Sequence, residues 1–289
     1  MNSRQAIEQF WNANPCGETL IGKETDWRKF FLKYDEYRYA TEGHIRHELD
    51  RIDLAGKQVL EIGIGQAADS EQIIRRGAHW YGLDLTNEAV FRAEKRFETF
   101  QLPFQAVKQG SADQIPYPDA SFDVVYSHGV LHHIPHMHKV SAELRRVLKP
   151  GGHLVVMLYH ANSLNYKLSI NIFRRILMIG LYLMAKGGGK PFIKNELLLG
   201  HLKNTDEFGL FTYLKNPLFM IRNTDGPGNP YSKVYNLDEV RRDFADFRIV
   251  ESRVHFLNER HLPFLKLLPR RLQNYLASKF GWHLWAVLT

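Results

Sequence analysis

Two glycines, an acidic residue about twenty positions on, and histidines at the ends of apolar runs are the residues of this 289-residue chain best placed to do chemistry. In Val59-Leu60-Glu61-Ile62-Gly63-Ile64-Gly65-Gln66-Ala67-Ala68-Asp69, an apolar run ends in an acidic residue, a glycine turn and a helix start. Gly63 and Gly65 carry no Cβ, so the backbone can turn tightly there and approach a ligand closely. The N–H groups that open the next helix suit a carboxylate or phosphate. Asp84 closes the next apolar run, Tyr81-Gly82-Leu83-Asp84-Leu85, where a carboxylate can accept both hydroxyls of a ribose. The loop Gly110-Ser111-Ala112-Asp113-Gln114-Ile115-Pro116 is placed to border an adenine ring, and Ser127 and His128 end a fourth run. Together these could hold a nucleoside with an amino-acid tail. Histidine titrates near neutral pH and suits a general base, which makes His128 and His160 the catalytic candidates, with packing or surface roles as the alternative. Tyr37, in an aromatic stretch over residues 34–39, could close over the site from above.

The elements that must carry these residues alternate. Apolar runs at residues 59–62, 79–83, 104–107, 122–126 and 153–158 are separated by segments of helical spacing, such as 69–76 and 88–100. Strands alternating with helices imply right-handed βαβ units and a parallel sheet, and Lys149-Pro150-Gly151-Gly152 reads as the turn that launches the fifth strand. The last part of the chain reads as a helix (238–247), a strand (248–256), a helix (270–279) and a strand (283–288). The expected fold is α/β: a Rossmann-like, seven-stranded, mostly parallel sheet flanked by helices, with a helical N-terminal segment and a helical cap insertion. Four regions follow: 1–50, an aromatic helical lid; 51–160, the nucleotide-type core; 161–235, a cap; and 236–289, the completion of the core sheet. Glycine-rich breaks at Gly187-Gly188-Gly189-Lys190-Pro191 and Asp225-Gly226-Pro227-Gly228-Asn229-Pro230 mark the cap.

Residues 58–158 resemble a class I S-adenosylmethionine (SAM) dependent methyltransferase of the broad group that includes ubiquinone and menaquinone methyltransferases. The likeness rests on residues 59–65, Asp84, the loop at 110–122, residues 126–133 and Leu148-Lys149-Pro150-Gly151-Gly152. It implies SAM as cofactor, S-adenosylhomocysteine as product, and a cofactor-binding set of Glu61, Gly63, Gly65, Gln66, Asp84, Leu85, Ser111, Ala112 and Ser127. In that set Glu61 and the glycine turn border the methionine moiety, Asp84 the ribose, Leu85 and Ala112 the adenine, and Ser127 the methionine amino group. Two positions depart from the family pattern: Ser111 stands where an acidic residue is usual, and Ala67 replaces the third glycine. A nicotinamide dehydrogenase is the competing reading, since Ala68 at its third glycine position is tolerated; Glu61 and the downstream pattern favour SAM.

The methyl acceptor is less legible. The formal charge is +7, yet basic residues fall in scattered pairs with no run of five, the pattern of a solvated surface. Neither an Asn/Asp-Pro-Pro-aromatic motif nor a basic–aromatic cluster is present, so nucleic acid is not the expected partner. Apolar and aromatic segments at both ends of the core suit a small, hydrophobic organic or lipid-like acceptor; transfer to O, C or N stays open. A lipid head-group methyltransferase at a membrane surface and a SAM-binding protein without turnover are the alternatives. Residues 168–185 are apolar, but the uninterrupted run after Arg174-Arg175 is about ten residues, against about twenty needed to span a bilayer. A buried cap helix is therefore expected, with a peripheral, interfacial helix as the second reading. The histidines at 128, 132, 133, 136 and 138 lack the spacing of a metal site, and no metal is expected. One cysteine, Cys16, excludes an intramolecular disulfide, and with no signal pattern the setting expected is cytoplasmic, with or without membrane contact. The oligomeric state is not readable.

Overall fold

The computed structural model describes residues 3–22, 24–189, 193, 195–226 and 228–289; Lys190, Pro191 and Pro227 of the two glycine-rich breaks lie outside the described residues. The chain divides into two compact units, the first comprising Met1–Leu158, Leu237–Arg253 and Trp285–Thr289, the second Tyr159–Asn236 and Val254–Leu284.

Seven strands, β1 (Gln58–Ile62), β2 (His79–Asp84), β3 (Ala106–Gln109), β4 (Phe122–His128), β5 (Leu148–Tyr159), β6 (Ile249–His255) and β7 (His283–Leu288), lie in the order 3-2-1-4-5-7-6. The pairs β1–β2, β2–β3, β1–β4 and β4–β5 are all parallel. After β1 the chain builds β2 and β3 on one side, then returns to place β4 on the other. The order reverses between β1 and β4, and open α/β sheets bind ligands outside the carboxyl ends at that switch. The Lys149–Gly152 turn differs from expectation in being enclosed within β5: Phe122 pairs with Leu148 and Val124 with His153, so the turn bulges out of a ladder that resumes beyond it.

Before the sheet come α1 (Ser3–Ala13), α2 (Glu18–Ile21), α3 (Trp27–Thr41) and α4 (His44–Leu49); α5 (Ala68–Arg75), α6 (Asn87–Phe100) and α7 (Met137–Val147) connect the strands. Asp26 caps α3 by accepting the Lys29 N–H at 3.1 Å, and Thr86 caps α6 by accepting the Ala89 N–H at 3.3 Å; such caps contribute about 1 kcal/mol each. Beneath them, Val59, Ile73, Trp80, Phe97, Val124 and Tyr126 share one buried core. A buried guanidinium ties the helices together. Arg96 on α6 donates to both carboxylate oxygens of Asp35 on α3 at 2.9 Å, to Glu71 on α5 at 2.9 Å and to the Gln66 carbonyl at 2.8 Å.

The second unit is mainly helical. A helical segment starts at Asn165, with α8 (Arg174–Met184) between wider π-helical turns, and kinks at Gly188, whose φ of +91 is not helical; α9 (Glu196–Phe208), α10 (Leu210–Lys215) and α11 (Pro217–Arg222) follow. After α12 (Leu237–Asp243) in the first unit, α13 (Arg270–Phe280) belongs again to the second. Ile170, Met178 and Leu181 pack with Leu202, Tyr213 and Met220 in its core. The helix expected to be buried is buried along that edge only: Phe173, Ile176, Leu177 and Leu183 are exposed. Composition marks the segment as apolar, but only the fold decides which of its faces has a neighbour.

Candidate functional site

At the carboxyl ends of β1 and β4, in the first unit, lies an open cavity enclosing roughly 1420 Å³, its mouth included. Its floor is the turn between β1 and α5. Gly63 has φ +78, and a Cβ there would stand 2.1 Å from Cγ2 of Val130, just past β4. That position therefore needs glycine for both backbone and space. Asp84, at the tip of β2, holds the turn in place. One carboxylate oxygen accepts the N–H of Ile64 at 2.7 Å and of Gly65 at 3.4 Å; the other accepts the Thr86 N–H and hydroxyl at 2.9 and 2.8 Å.

Two acidic groups in the cavity wall behave oppositely. Glu61 is buried and accepts a hydrogen bond from the Trp80 indole at 2.8 Å. Burial, aided by the negative charge of Asp69, pushes its carboxyl up to about 8, so it is protonated at neutral pH. Asp69 is equally buried but sits at about 2: burial raises it, and the Arg38 guanidinium, with lesser help from its other partners, more than reverses that. Arg38 reaches down from α3 to grip both oxygens of Asp69, and the hydroxyls of Tyr126 and Tyr39 donate to it at 3.0 and 3.3 Å.

His128, the last residue of β4, faces this cluster. Its Nδ1 lies 3.3 Å from Nη2 of Arg38, which can only donate, so Nδ1 is the acceptor and the proton belongs on Nε2. Burial drives the imidazole down to about 3, against the pull of Asp69. It is neutral throughout the physiological range.

α1 covers the opening. Its Ile7 and Trp11 line the cavity, the Trp11 ring meets His133 edge-on at 5.2 Å, and Arg4 pairs with Asp113 at 2.6 Å. Cys16 is exposed and also lines the cavity, and its carbonyl accepts a hydrogen bond from the Gln66 amide at 3.0 Å.

Among the residues singled out from sequence, Glu61, Gly63, Gly65, Gln66, Asp84, Leu85, Ser111, Ala112 and His128 all line this one cavity. Ser127 does not. It is buried behind the wall, where its hydroxyl donates to the Ile62 carbonyl at 3.0 Å and locks β4 to β1. Tyr37 is half-buried on α3 and is not among the lining residues; its neighbours Tyr34 and Arg38 are. His160 belongs to the second unit, where its Nδ1 donates to the Gly281 carbonyl at 3.0 Å. The Arg38–Asp69–Tyr126 cluster went unassigned from sequence. Asp69 lies within the quoted motif, and Arg38 is one residue from Tyr37, but nothing in their spacing announces that they meet.

Residues 60–156 match the family described as "Methyltransferase domain". The chain is similar to a phthiotriol/phenolphthiotriol dimycocerosates methyltransferase of Mycobacterium tuberculosis, 37% identical over 105 residues, which are 36% of this chain and 38% of that protein. It is also similar to a sterol 24-C-methyltransferase of Gibberella zeae, 39% identical over 102 residues (34% and 26% of the two chains), and to a fatty-acid O-methyltransferase of Mycolicibacterium smegmatis, 34% identical over 105 (36% and 37%). The matched segment thus spans well under half the length of these relatives. Among solved structures, geranyl diphosphate C-methyltransferase from Streptomyces coelicolor A3(2), in complex with S-adenosyl-L-homocysteine, superposes with a TM-score of 0.54 at 12% identity, over 100% of this chain and 97% of that one. That likeness concerns the fold.

Proposed function

We propose, from the premise that residues 60–156 are a class I SAM-dependent methyltransferase domain, that this chain transfers a methyl group from SAM to a small hydrophobic organic acceptor. The observation that carries the proposal is the convergence of the glycine turn, Asp84, Glu61 and the Ser111–Ala112 loop on one cavity at the switch point of the sheet.

The donor set suits the cofactor. Among the described residues, its chain neighbours aside, the only atom a Cβ on Gly65 would approach within 4 Å is Cys16 Cβ, at 3.9 Å, so little side-chain bulk stands over the turn. The Asp84 carboxylate, already aimed by three N–H groups and a hydroxyl, is the partner for ribose hydroxyls. Glu61 is the acidic group for the methionine end. Bound SAM supplies a methyl group on a cationic sulfonium, an excellent leaving group.

The protein's work is then alignment and exclusion of water. Trp11, Ile7, Val130 and Ile134 form an apolar wall suited to an organic acceptor. A histidine held near 3 is a feeble base, so His128 is assigned to the cavity wall rather than to removing a proton. Tyr37 and His160 are the further catalytic candidates of this proposal. Three relatives named for lipid, sterol and fatty-acid substrates support an apolar acceptor.

Calorimetric titration with SAM and S-adenosylhomocysteine, for the wild type and Asp84→Ala, tests the cofactor. Micromolar binding that the variant loses is the expected result; no binding to the wild type overturns the proposal. A screen of quinones, sterols, fatty acids and isoprenoids, read by mass spectrometry for a 14-dalton gain, then identifies the acceptor (one CH₂, the mass of a methyl replacing a hydrogen). Tight cofactor binding with no product from any class would favour a SAM-binding protein without turnover.

A further inference from the structure

The charge of this protein is divided unevenly between its two units. The second, Tyr159–Asn236 with Val254–Leu284, carries 15 lysines and arginines against 5 aspartates and glutamates, a formal +10; the first carries 23 against 26, a formal −3. A chain of +7 with a scattered basic surface is therefore an acidic catalytic unit joined to a strongly basic one. The basic unit also displays the protein's long apolar helix. Within the 24 residues Asn165–Gly188 an 18-residue window reaches a mean hydropathy of 1.5, yet little of that window is buried.

Its two edges differ. Ile170, Arg174, Met178 and Leu181, at helical spacing, face the unit's own core, where Arg174 Nη1 donates to the Thr224 hydroxyl at 3.2 Å. Phe173, Ile176, Leu177 and Leu183 form the opposite stripe, with Ile176 62% and Leu183 64% exposed, and a Cβ on Gly180 in the same stripe would meet nothing within 4 Å among the described residues. Lys167 and Lys186 are exposed near its two ends.

We propose that this stripe docks the second unit onto an anionic lipid surface, lying in the plane of the bilayer. A contiguous apolar stripe left in water marks an interaction site. What selects lipid over another apolar partner is the charge around it: a formal +10 on one unit, with a lysine near either end of the stripe, complements a field of acidic head groups and would repel a second copy of itself. Spanning is excluded by the packing. At 1.5 Å per residue the helix is about 36 Å long and could cross a bilayer, but its inner edge is a wall of the unit's core, and withdrawing it would dismantle that core. The proposal does not depend on the identity of the methyl acceptor.

The test is sedimentation of the full chain with vesicles of pure phosphatidylcholine and of phosphatidylcholine with phosphatidylglycerol. It compares wild type, Ile176→Glu/Leu183→Glu, and Lys167→Glu/Lys186→Glu. Both apolar positions are solvent-exposed, so the variants should keep the wild-type melting temperature and SAM affinity, which separates this result from any failure of the methyltransferase reading. Expected are binding to the anionic vesicles that weakens as salt rises, little binding to the neutral ones, and at least about a tenfold loss in both variants. Absence of binding to anionic vesicles, or equal binding by wild type and the Ile176→Glu/Leu183→Glu variant, overturns the proposal. So does a wild-type dimer in light scattering that the same variant converts to monomer, because the stripe would then be a protein interface.

Discussion

Arg38 of α3 and Asp69 of α5 meet in a two-pronged ion pair, Nε to Oδ1 at 3.1 Å and Nη2 to Oδ2 at 2.8 Å, at the edge of the cavity. One turn away on the same helix, Asp35 receives the buried Arg96. α3 is thus fastened to α5 and α6 by two paired charges spaced three residues apart, as well as by its aromatic packing.

Removing one partner of such a pair leaves a charge without compensation in a poorly solvated place. Asp69→Asn should destabilise the protein by about 3–5 kcal/mol, while Arg38→Met/Asp69→Asn together should cost less than the sum of the single changes. Urea unfolding of the four proteins in a double-mutant cycle gives the coupling; strict additivity would mean the pair contributes nothing.

The same pair sets an acid limit. Asp69 sits at about 2 in the fold against an ordinary 3.8, so its folded form is favoured whenever it is ionised. That stabilisation is complete above about pH 4 and disappears as pH falls towards 2. Thermal melting between pH 5 and 2.5 should show a steeper loss for the wild type than for Asp69→Asn; parallel curves would show that Asp69 is not the group responsible.

Glu61 has the opposite linkage. Its carboxyl is raised to about 8 by burial, so a cationic ligand that prefers the ionised form must displace a proton. SAM affinity should rise between pH 6 and 7.5, by up to about tenfold per pH unit, below the range in which the ligand's own α-amino group titrates. Titrations in buffers of different ionisation enthalpy should reveal the released proton. Glu61→Gln should bind with a flat pH profile, and an unchanged slope in that variant would assign the proton elsewhere.

Cys16 gives a direct report on the cavity. It is the single cysteine, exposed, and in the lining beside the glycine turn. Alkylation by a maleimide should abolish SAM binding, and saturating S-adenosylhomocysteine should slow the alkylation at least about tenfold. Full SAM affinity in the alkylated protein would place the ligand away from Cys16.

His128 tests whether the reaction uses this imidazole as a base. An imidazole held near 3 does not titrate between pH 6 and 8, so kcat/KM with a cognate acceptor should show no acid limb that His128→Gln removes. A limb near pH 6.5 that vanishes in the variant would make His128 the base after all.

Much of this site was legible in the sequence because its requirements are local. A glycine at positive φ, a carboxylate at a strand end and a helix start follow one another along the chain, and their order alone places Gly63, Gly65 and Asp84 on one edge of a parallel sheet. The apolar runs located all seven strands for the same reason, although β3 starts two residues later than its run and β5 starts at Leu148, ahead of the turn expected to launch it. Ser127 shows the limit: its position at a strand end was legible, but the pleat that turns its hydroxyl to the Ile62 carbonyl, behind the cavity wall, was not.

What the tertiary structure alone decided are relations between distant segments. Residues 38, 69 and 126 carry no shared spacing, and only the packing of α3 over α5 and β4 brings them into one cluster and splits the two buried carboxyls, one to about 8 and the other to about 2. In the same way, composition identified residues 168–185 as apolar, but exposure is a property of neighbours: one edge of that helix found a core and the other did not. Residue type and order encode short-range backbone and hydrogen-bond demands; burial and charge pairing depend on which faces the folded chain brings together.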